Sequence, residues 1–397
     1  MDNTPVADFL AHLPLTRPVL NDRERVFLAV LQGQVSSRSE ATKRLSIRSS
    51  TVSEHVAELL DKGLLTEQIS ARSGRGRPLR SLGVHANRLV TIVFQVISQS
   101  VHAFMVNLSA EIVGHAKAEA PPDSDNQSLS AIFLQLYQAV LIKRPSGAEL
   151  AGIVFSPGGV IDRNTHRWIH ASRWPKMHNL DIQRLFSSEK YPISLSRTLD
   201  NELRIHLLLH PQSTLLLHWG YGVGFAFGQS SDRIVEGGSA FGEIGHWRVT
   251  DEGTSCHCGQ SGCLETVTAL WAIGPRLLGE DFHAGDDEEH IASMLKESDF
   301  TNNDLINQAV EHMSTAVSNV CRVFFPDRLV VSGPFVQNPQ IWQAFCERFE
   351  QKNRFFGHEI HSVSVSQISR DLGIYGAALP VLEQGLAALL TDKPGSE

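Results

Sequence analysis

Three of the chain's five cysteines, Cys256, Cys258 and Cys263, fall within eight residues, and His246 lies just upstream in Glu243-Ile244-Gly245-His246. Any fold this chain adopts must close that segment on itself. Three thiolates and one imidazole fill the tetrahedral shell preferred by structural zinc and leave no position for water, so such a site holds a loop in shape rather than activating a nucleophile. A disulfide is the competing reading. A long, cysteine-poor chain without a secretory leader fits a reduced cytoplasmic setting, which favours one zinc ion per chain over a disulfide. His257 stands between two of the ligands, and because adjacent residues rarely converge on one ion its ring is expected to point outward. Cys321 and Cys346 lie in apolar runs and read as small core residues.

Charge divides the chain. Residues 17 to 83 hold 12 Lys/Arg against 7 Asp/Glu, and the remainder holds 23 against 36, a basic head on an acidic body. At 397 residues and 42% hydrophobic content, the chain is long enough for more than one globular core. No apolar run reads as membrane-spanning: Leu207-Leu208-Leu209 and Leu215-Leu216-Leu217 are short and separated by His210-Pro211.

The head has helical organisation. Asn21 is placed to cap a helix from Asp22 to about Leu31 with Val26, Phe27, Val30 and Leu31 on its apolar face, and Gly33 ends it. Ser39 to Leu45, the turn Ser46-Ile47-Arg48, and a helix from Ser49 or Ser50 to Lys62 read as a helix-turn-helix. Such a unit presents Arg48, Ser49, Ser50, Thr51 and Ser53 to bases or phosphates, although short hydroxyls there also serve as helix caps. The chain then alternates as a strand, turns through Ser70 to Pro78 and returns through Leu79 to Leu82, the pattern of a wing. Its tip carries Arg72, Arg75 and Arg77, and Arg75-Gly76-Arg77-Pro78 resembles an AT-hook suited to a narrow minor groove.

Glu243-Ile244-Gly245-His246 followed by Cys-x-Cys-x-x-x-x-Cys-Leu-Glu-Thr resembles the signature of the ROK family of sugar-responsive repressors and sugar kinases. Weaker echoes are Ser156-Pro157-Gly158-Gly159, Gly220-x-Gly222-x-Gly224, Phe325-Pro326-Asp327 and Gly376-Ala377-Ala378. The resemblance implies an α/β chain with a winged helix-turn-helix over residues 1–83 and a two-lobed, actin-like (ribonuclease-H-like) domain over 84–397. It further implies that Glu243, His246, Glu265, Gly158 and Asp200 bind a sugar, with His246 holding the metal through one ring nitrogen and facing the ligand with the other.

Kinase equipment is incomplete. The Asp-x-Gly-Gly-Thr phosphate segment of family kinases falls on Gln95-Val96-Ile97-Ser98-Gln99, without its acid or glycines. Their Asn-Asp pair, which carries the general base, falls on Arg197-Thr198, and a register shift would bring Asp200 there instead. Gly220-x-Gly222-x-Gly224 resembles the second phosphate loop and equally suits a tight strand-to-strand turn. With no catalytic residues identified, the chain reads as a non-enzymatic regulator, a repressor by resemblance. It is expected to bind a double-stranded DNA operator and a sugar or sugar-phosphate effector as a homodimer or dimer of dimers, away from membranes. The competing reading is a sugar kinase with an appended DNA-binding head. His166, Arg167, Arg173 and Trp174 are further candidates for the ligand pocket.

Overall fold

The computed structural model describes residues 21–70, 79–235, 241–251, 253–283, 285–354, 360, 362–366 and 370–391. Helix α1 (Asp22–Leu31) starts in a reciprocal cap. Asn21 Oδ1 accepts from the Glu24 amide at 2.9 Å, and Glu24 Oε2 accepts from the Asn21 amide at 3.3 Å. Helix α2 (Arg38–Leu45) is capped by Ser37 and ends at Ser46, which takes the left-handed conformation at φ 56°. That turn aims α3 (Ser49–Asp61). Strands β1 (Leu65–Ser70) and β2 (Leu79–Val84) pair antiparallel, Leu65 opposite Val84 and Ser70 opposite Leu79, as the expected wing.

The body repeats one plan twice. In the first lobe β3 (Leu89–Ile97), β4 (Ser100–Asn107) and β5 (Ile112–Glu119) form an antiparallel meander, and α4 (Asn126–Leu141) crosses to β6 (Glu149–Ser156), which returns parallel to β3. A small sheet of β7 (Val160–Asp162), β8 (Arg167–His170) and β9 (Leu180–Asp181), followed by the one-turn α5 (Ile182–Leu185), leads to β10 (Ile193–Leu195) and the order β10-β6-β3-β4-β5. Helix α6 (Thr198–Leu209) then enters the second lobe. There β11 (Thr214–Trp219) and β12 (Val223–Gly228) form a hairpin, followed by α7 (Glu265–Thr268), α8 (Leu270–Leu278), α9 (Glu288–Glu297), α10 (Asp304–Phe324), β13 (Arg328–Ser332), α11 (Pro339–Asn353) and β14 (Ser362–Val365). The sheet order is β12-β11-β13-β14, again one antiparallel hairpin continued by parallel strands. The two hairpin turns, at Ser98 and at Tyr221-Gly222, line one cleft between the lobes.

Helix α12 (Arg370–Thr391) joins cleft to head. Gly373 lines the cleft, and a Cβ on Gly376 would lie 2.0 Å from the Asn201 carbonyl oxygen, so only glycine lets α12 lie this close to α6. At the other end Arg23 donates to the Leu390 carbonyl and Lys62 Nζ donates to the Leu389 carbonyl at 2.8 Å. Leu382, Leu386 and Leu390 share one apolar cluster with Val26, Phe27 and Leu59 of the head and with Leu89 and Val93 of β3. Arg88 fastens the same seam, donating to the Lys62 carbonyl at 2.9 Å and to Glu149 at 2.7 Å. Contrary to the expectation that no segment has membrane-spanning character, Gly373–Thr391 is long and apolar enough by length and composition. Its apolarity is that of a core helix: Ile374, Ala378, Leu382 and Leu386 are buried between head, sheet and α6.

Candidate ligand cleft, metal centre and DNA-reading surface

The expected metal ligands converge. His246 closes a one-turn helix, Ile244–His246, and Arg248 and Cys263 form an isolated bridge that folds the cysteine loop back against it. The donor atoms of His246, Cys256, Cys258 and Cys263 all lie within 4.8 Å of one another. Cys256 Sγ is 3.4 Å from His246 Nδ1, and Cys258 Sγ is 3.7 Å from Cys263 Sγ. A tetrahedral ion with bonds of about 2.3 Å to sulfur requires S···S edges of about 3.8 Å, close to the Cys258–Cys263 separation, so the donor set fits a metal ion. Burial pushes the Cys256 thiol up to about 12, and the cluster must therefore shed protons to take a metal. His257 is outside the set; its ring packs on Trp271 at 4.2 Å. Cys321 is buried in the core of the second lobe, and Cys346 is half-buried against it.

His246 turns its other nitrogen outward. Nε2 lies 3.8 Å from Glu243 Oε2, and Glu243 Oε1 lies 3.9 Å from Arg197 Nη1. Burial pushes Glu243 up to about 7 against the opposing pull of Arg197. Glu265 is buried and already engaged: Oε1 accepts from the Val223 amide at 2.9 Å and Oε2 from Trp271 Nε1 at 3.1 Å, which makes it a brace behind the β11–β12 hairpin. Gly158 lines the cleft, its carbonyl accepting from Trp168 Nε1 at 3.0 Å.

Asp200 departs from expectation. It is fully buried and gripped by two arginines, Arg197 through Nη2 at 2.7 Å and Nε at 3.0 Å, and Arg163 through Nη2. Both of its oxygens are committed to guanidinium groups. Thr198 donates its hydroxyl to the Ser156 carbonyl at 2.9 Å. Of the further pocket candidates, Trp174 lines the cleft while its Nε1 donates to the Ala120 carbonyl at 3.0 Å, and Arg167 pairs with Asp181 at 3.0 Å. His166 sits at φ 51° in the turn between β7 and β8, while Arg173 reaches the cleft and lies 3.8 Å above the Tyr221 ring.

The glycine-rich turn at Gly220 and Gly222 is filled from within. Glu288, from the first turn of α9, accepts from the Tyr221 amide at 2.6 Å and pairs with His218 Nε2 at 3.1 Å. A Cβ on Gly220 would stand 2.6 Å from Glu288 Oε1, so this glycine makes room for a carboxylate of the same chain. Burial alone would raise Glu288, but His218 and the Tyr221 amide overcome it and hold the acid down to about 2. Across the cleft, the Ser98 hydroxyl lies 2.5 Å from the Gly285 carbonyl oxygen and 3.0 Å from that of Asp286, so the turn that would carry the first phosphate segment is latched to the opposite lobe. What remains open is a cavity of about 380 Å³ lined by both hairpin turns, Gln95, Arg173, Glu202 and Leu199. Glu243 and Glu265 are not among its lining residues; Glu265 lies behind Gly222, whose Cβ position is 3.2 Å from Glu265 Oε1.

The head presents a clear reading surface. Arg48 is the N-cap of α3 but makes no side-chain cap bond, and Arg48, Ser49 and Ser50 are exposed while Thr51 and Ser53 are half-buried. The serines therefore are not occupied as caps. Arg38 braces this turn from behind, donating to the Ser53 carbonyl at 3.1 Å. Arg72, Arg75 and Arg77 lie outside the described residues.

Arg163, His218, Glu202 and Glu288 escaped the sequence reading. Glu288 sits in Asp286-Asp287-Glu288-Glu289, which reads as an acidic helix start facing water; only the fold carries it to Tyr221.

A winged helix-turn-helix fused to a two-lobed α/β body with a Cys3His cluster beside its cleft defines a class, and the ROK family model matches residues 100–384: the chain belongs to the ROK family. Among its relatives, the xylose repressor of Caldicellulosiruptor bescii is 22% identical over 77% of this chain and 81% of that protein. Among solved structures, a ROK family transcriptional regulator, a homologue of the Escherichia coli Mlc protein, superposes with a TM-score of 0.69 at 18% identity and covers 98% of this chain and 100% of that one. The ROK hexokinase of Thermus thermophilus gives 0.57 at 19% identity and covers 73% of this chain and 97% of its own. The fold of the body is thus shared by regulators and kinases.

Proposed function

We propose that the protein is a sugar-responsive, DNA-binding transcriptional regulator, a repressor, without kinase activity. The observation that carries this reading is α12, which touches the interlobe cleft at Gly373 and the DNA-binding head at Leu389 and Leu390. Ligand between the lobes has a direct mechanical path to the head. The relative named as a repressor supports the same assignment, as does the solved regulator whose fold covers 98% of this chain.

In this reading zinc occupies His246, Cys256, Cys258 and Cys263 and supplies no reaction step. Held at Nδ1, the His246 ring keeps Nε2 toward Glu243, and together they form the sugar-facing wall, with Gly158 opposite and Glu265 as a brace. Arg48, Ser49, Ser50, Thr51 and Ser53 enter the major groove, and Arg72, Arg75 and Arg77 add phosphate and minor-groove contacts. A cytoplasmic homodimer places two heads on a two-fold operator with half-sites about one or more ~10.5-bp turns apart. The proposed domain division is 1–83 and 84–397, with α12 returning across it.

Fluorescence anisotropy with an operator fragment, read across a panel of sugars and sugar phosphates, tests the switch: the true effector lowers operator affinity at least roughly tenfold, equivalent to ~1.4 kcal/mol of coupling. An ADP-release assay over the same panel tests the kinase alternative, and turnover above background would overturn the reading of Glu288 as a plug.

A further inference from the structure

The cavity between the hairpin turns shares Gly158 with the proposed sugar-facing wall but extends past it to groups that this sugar reading does not use. One wall is acidic: Glu202, Asp287 and Glu288 line it, with His218 and Arg173 among them. The cations are committed, His218 to Glu288 and Arg173 to the face of Tyr221. Glu202 accepts from Ser366 Oγ at 3.0 Å, and burial pushes its carboxyl up against the opposing pull of His218. The second observation is independent. Gln95 lines the same cavity at 5% exposure, and its Oε1 meets no donor in the protein. Leaving a buried amide oxygen unsatisfied is costly, about 1–3 kcal/mol, and a methionine or leucine of similar volume would remove the cost. Val96, Ile97, Leu199 and Trp168 make the rest of the lining apolar.

A phosphate ester is a poor guest here, because the Tyr221 amide is already taken by Glu288 and the three acids Glu202, Asp287 and Glu288 outnumber Arg173 and His218 in the lining. We propose that this cavity binds a small ligand bearing a protonated amine on a short apolar body, its ammonium donating to Gln95 Oε1 and to the Glu202 carboxylate. About 380 Å³ suits a molecule at the small end of ligand size. The ligand spans both lobes and so favours the closed cleft that Ser98 latches to Gly285.

Calorimetric titration of the full-length protein with ethanolamine, putrescine and 2-phenylethylamine, each against its alcohol counterpart, tests the proposal. Saturable binding of at least one amine, at least roughly tenfold tighter than the matched alcohol and lost in Glu202→Gln, is the expected result. Equal affinity for amine and alcohol, or no binding across the set, overturns it. Gln95→Met supplies a readout that needs no ligand: it raises the melting temperature of the free protein while abolishing amine binding, whereas a lowered melting temperature makes Gln95 a structural residue and sinks the idea. Glu243→Gln separates this site from the sugar reading, since it leaves amine affinity unchanged whether or not sugar response survives.

Discussion

Two seams run through the molecule, and they are built from opposite materials. The seam between head and body is apolar: Val26, Phe27 and Leu59 meet Leu382, Leu386 and Leu390 in one continuous cluster, with a few side-chain hydrogen bonds to carbonyls at its edge. The seam between the lobes carries charge: Glu202, His218, Arg173 and Glu288 stand there among the apolar Val96, Ile97, Leu199 and Trp168, and a serine hydroxyl latches it. Close-packed apolar surfaces resist sliding because every displaced methylene opens a void, whereas charge pairs around a cavity can exchange partners with a ligand. The head is therefore coupled to the body as one piece, and conformational freedom is concentrated between the lobes.

The largest effect tests neither seam but the loop that supports the second. Cys258→Ser removes one ligand of the metal centre and is expected to cost on the order of several kcal/mol, seen as a drop in melting temperature together with loss of stoichiometric zinc by atomic absorption. Wild-type protein purified without stoichiometric metal would defeat the zinc assignment.

Next comes the apolar seam. Leu386→Ala deletes a buried side chain at 2% exposure and should cost about 2–5 kcal/mol in urea unfolding, with head and body still melting in one transition. Two separated transitions in the wild type would break the comparison, because the head would then be an independent unit.

The polar seam is worth less. Glu288→Gln should cost about 1–3 kcal/mol near pH 6. Glu288 is held low, so its contribution is present above the ordinary carboxylate range and lost as pH falls toward about 2. His218 is held high by Glu288 despite burial, with Glu202 adding to the pull and Arg173 opposing it, so its contribution is complete below the ordinary histidine value and fades as pH rises through the raised one. The difference in melting temperature between wild type and variant is thus widest between about pH 4.5 and 6.5. A flat difference from pH 4 to 9 would remove the pair from the seam.

Smallest for stability, and confined to DNA, is Arg75→Ala with Arg77→Ala. Melting temperature stays put, operator affinity falls, and the slope of log affinity against log salt shrinks by up to about 0.9 for each phosphate that is no longer neutralised. Unchanged affinity would take the wing out of the interface.

What could be read from the sequence was whatever is local. The Asn21 cap, the helix-turn-helix around Ser46, the wing strands and the Cys3His cluster depend on residues close in the chain, and each lies where spacing predicted. The double pairing of Asp200 was not legible because its partner Arg163 is brought to it only by the turn between β7 and β8 and the start of α6. Glu288 was illegible for the same reason: 67 residues separate it from the Tyr221 amide it occupies. The role of α12 was hidden differently. Its apolar residues face head, sheet and α6 at once, so no single stripe marks a partner.

The 22-residue length of α12 gives the joint a geometric gain. At 1.5 Å per residue it is roughly 33 Å long, close to one turn of DNA, so a tilt of roughly 5° at the cleft end carries the far end about 3 Å. Three ångströms is the span of a hydrogen bond to a base edge. A pocket rearrangement too small to disturb the body is thereby enough to take two heads out of step with the double helix.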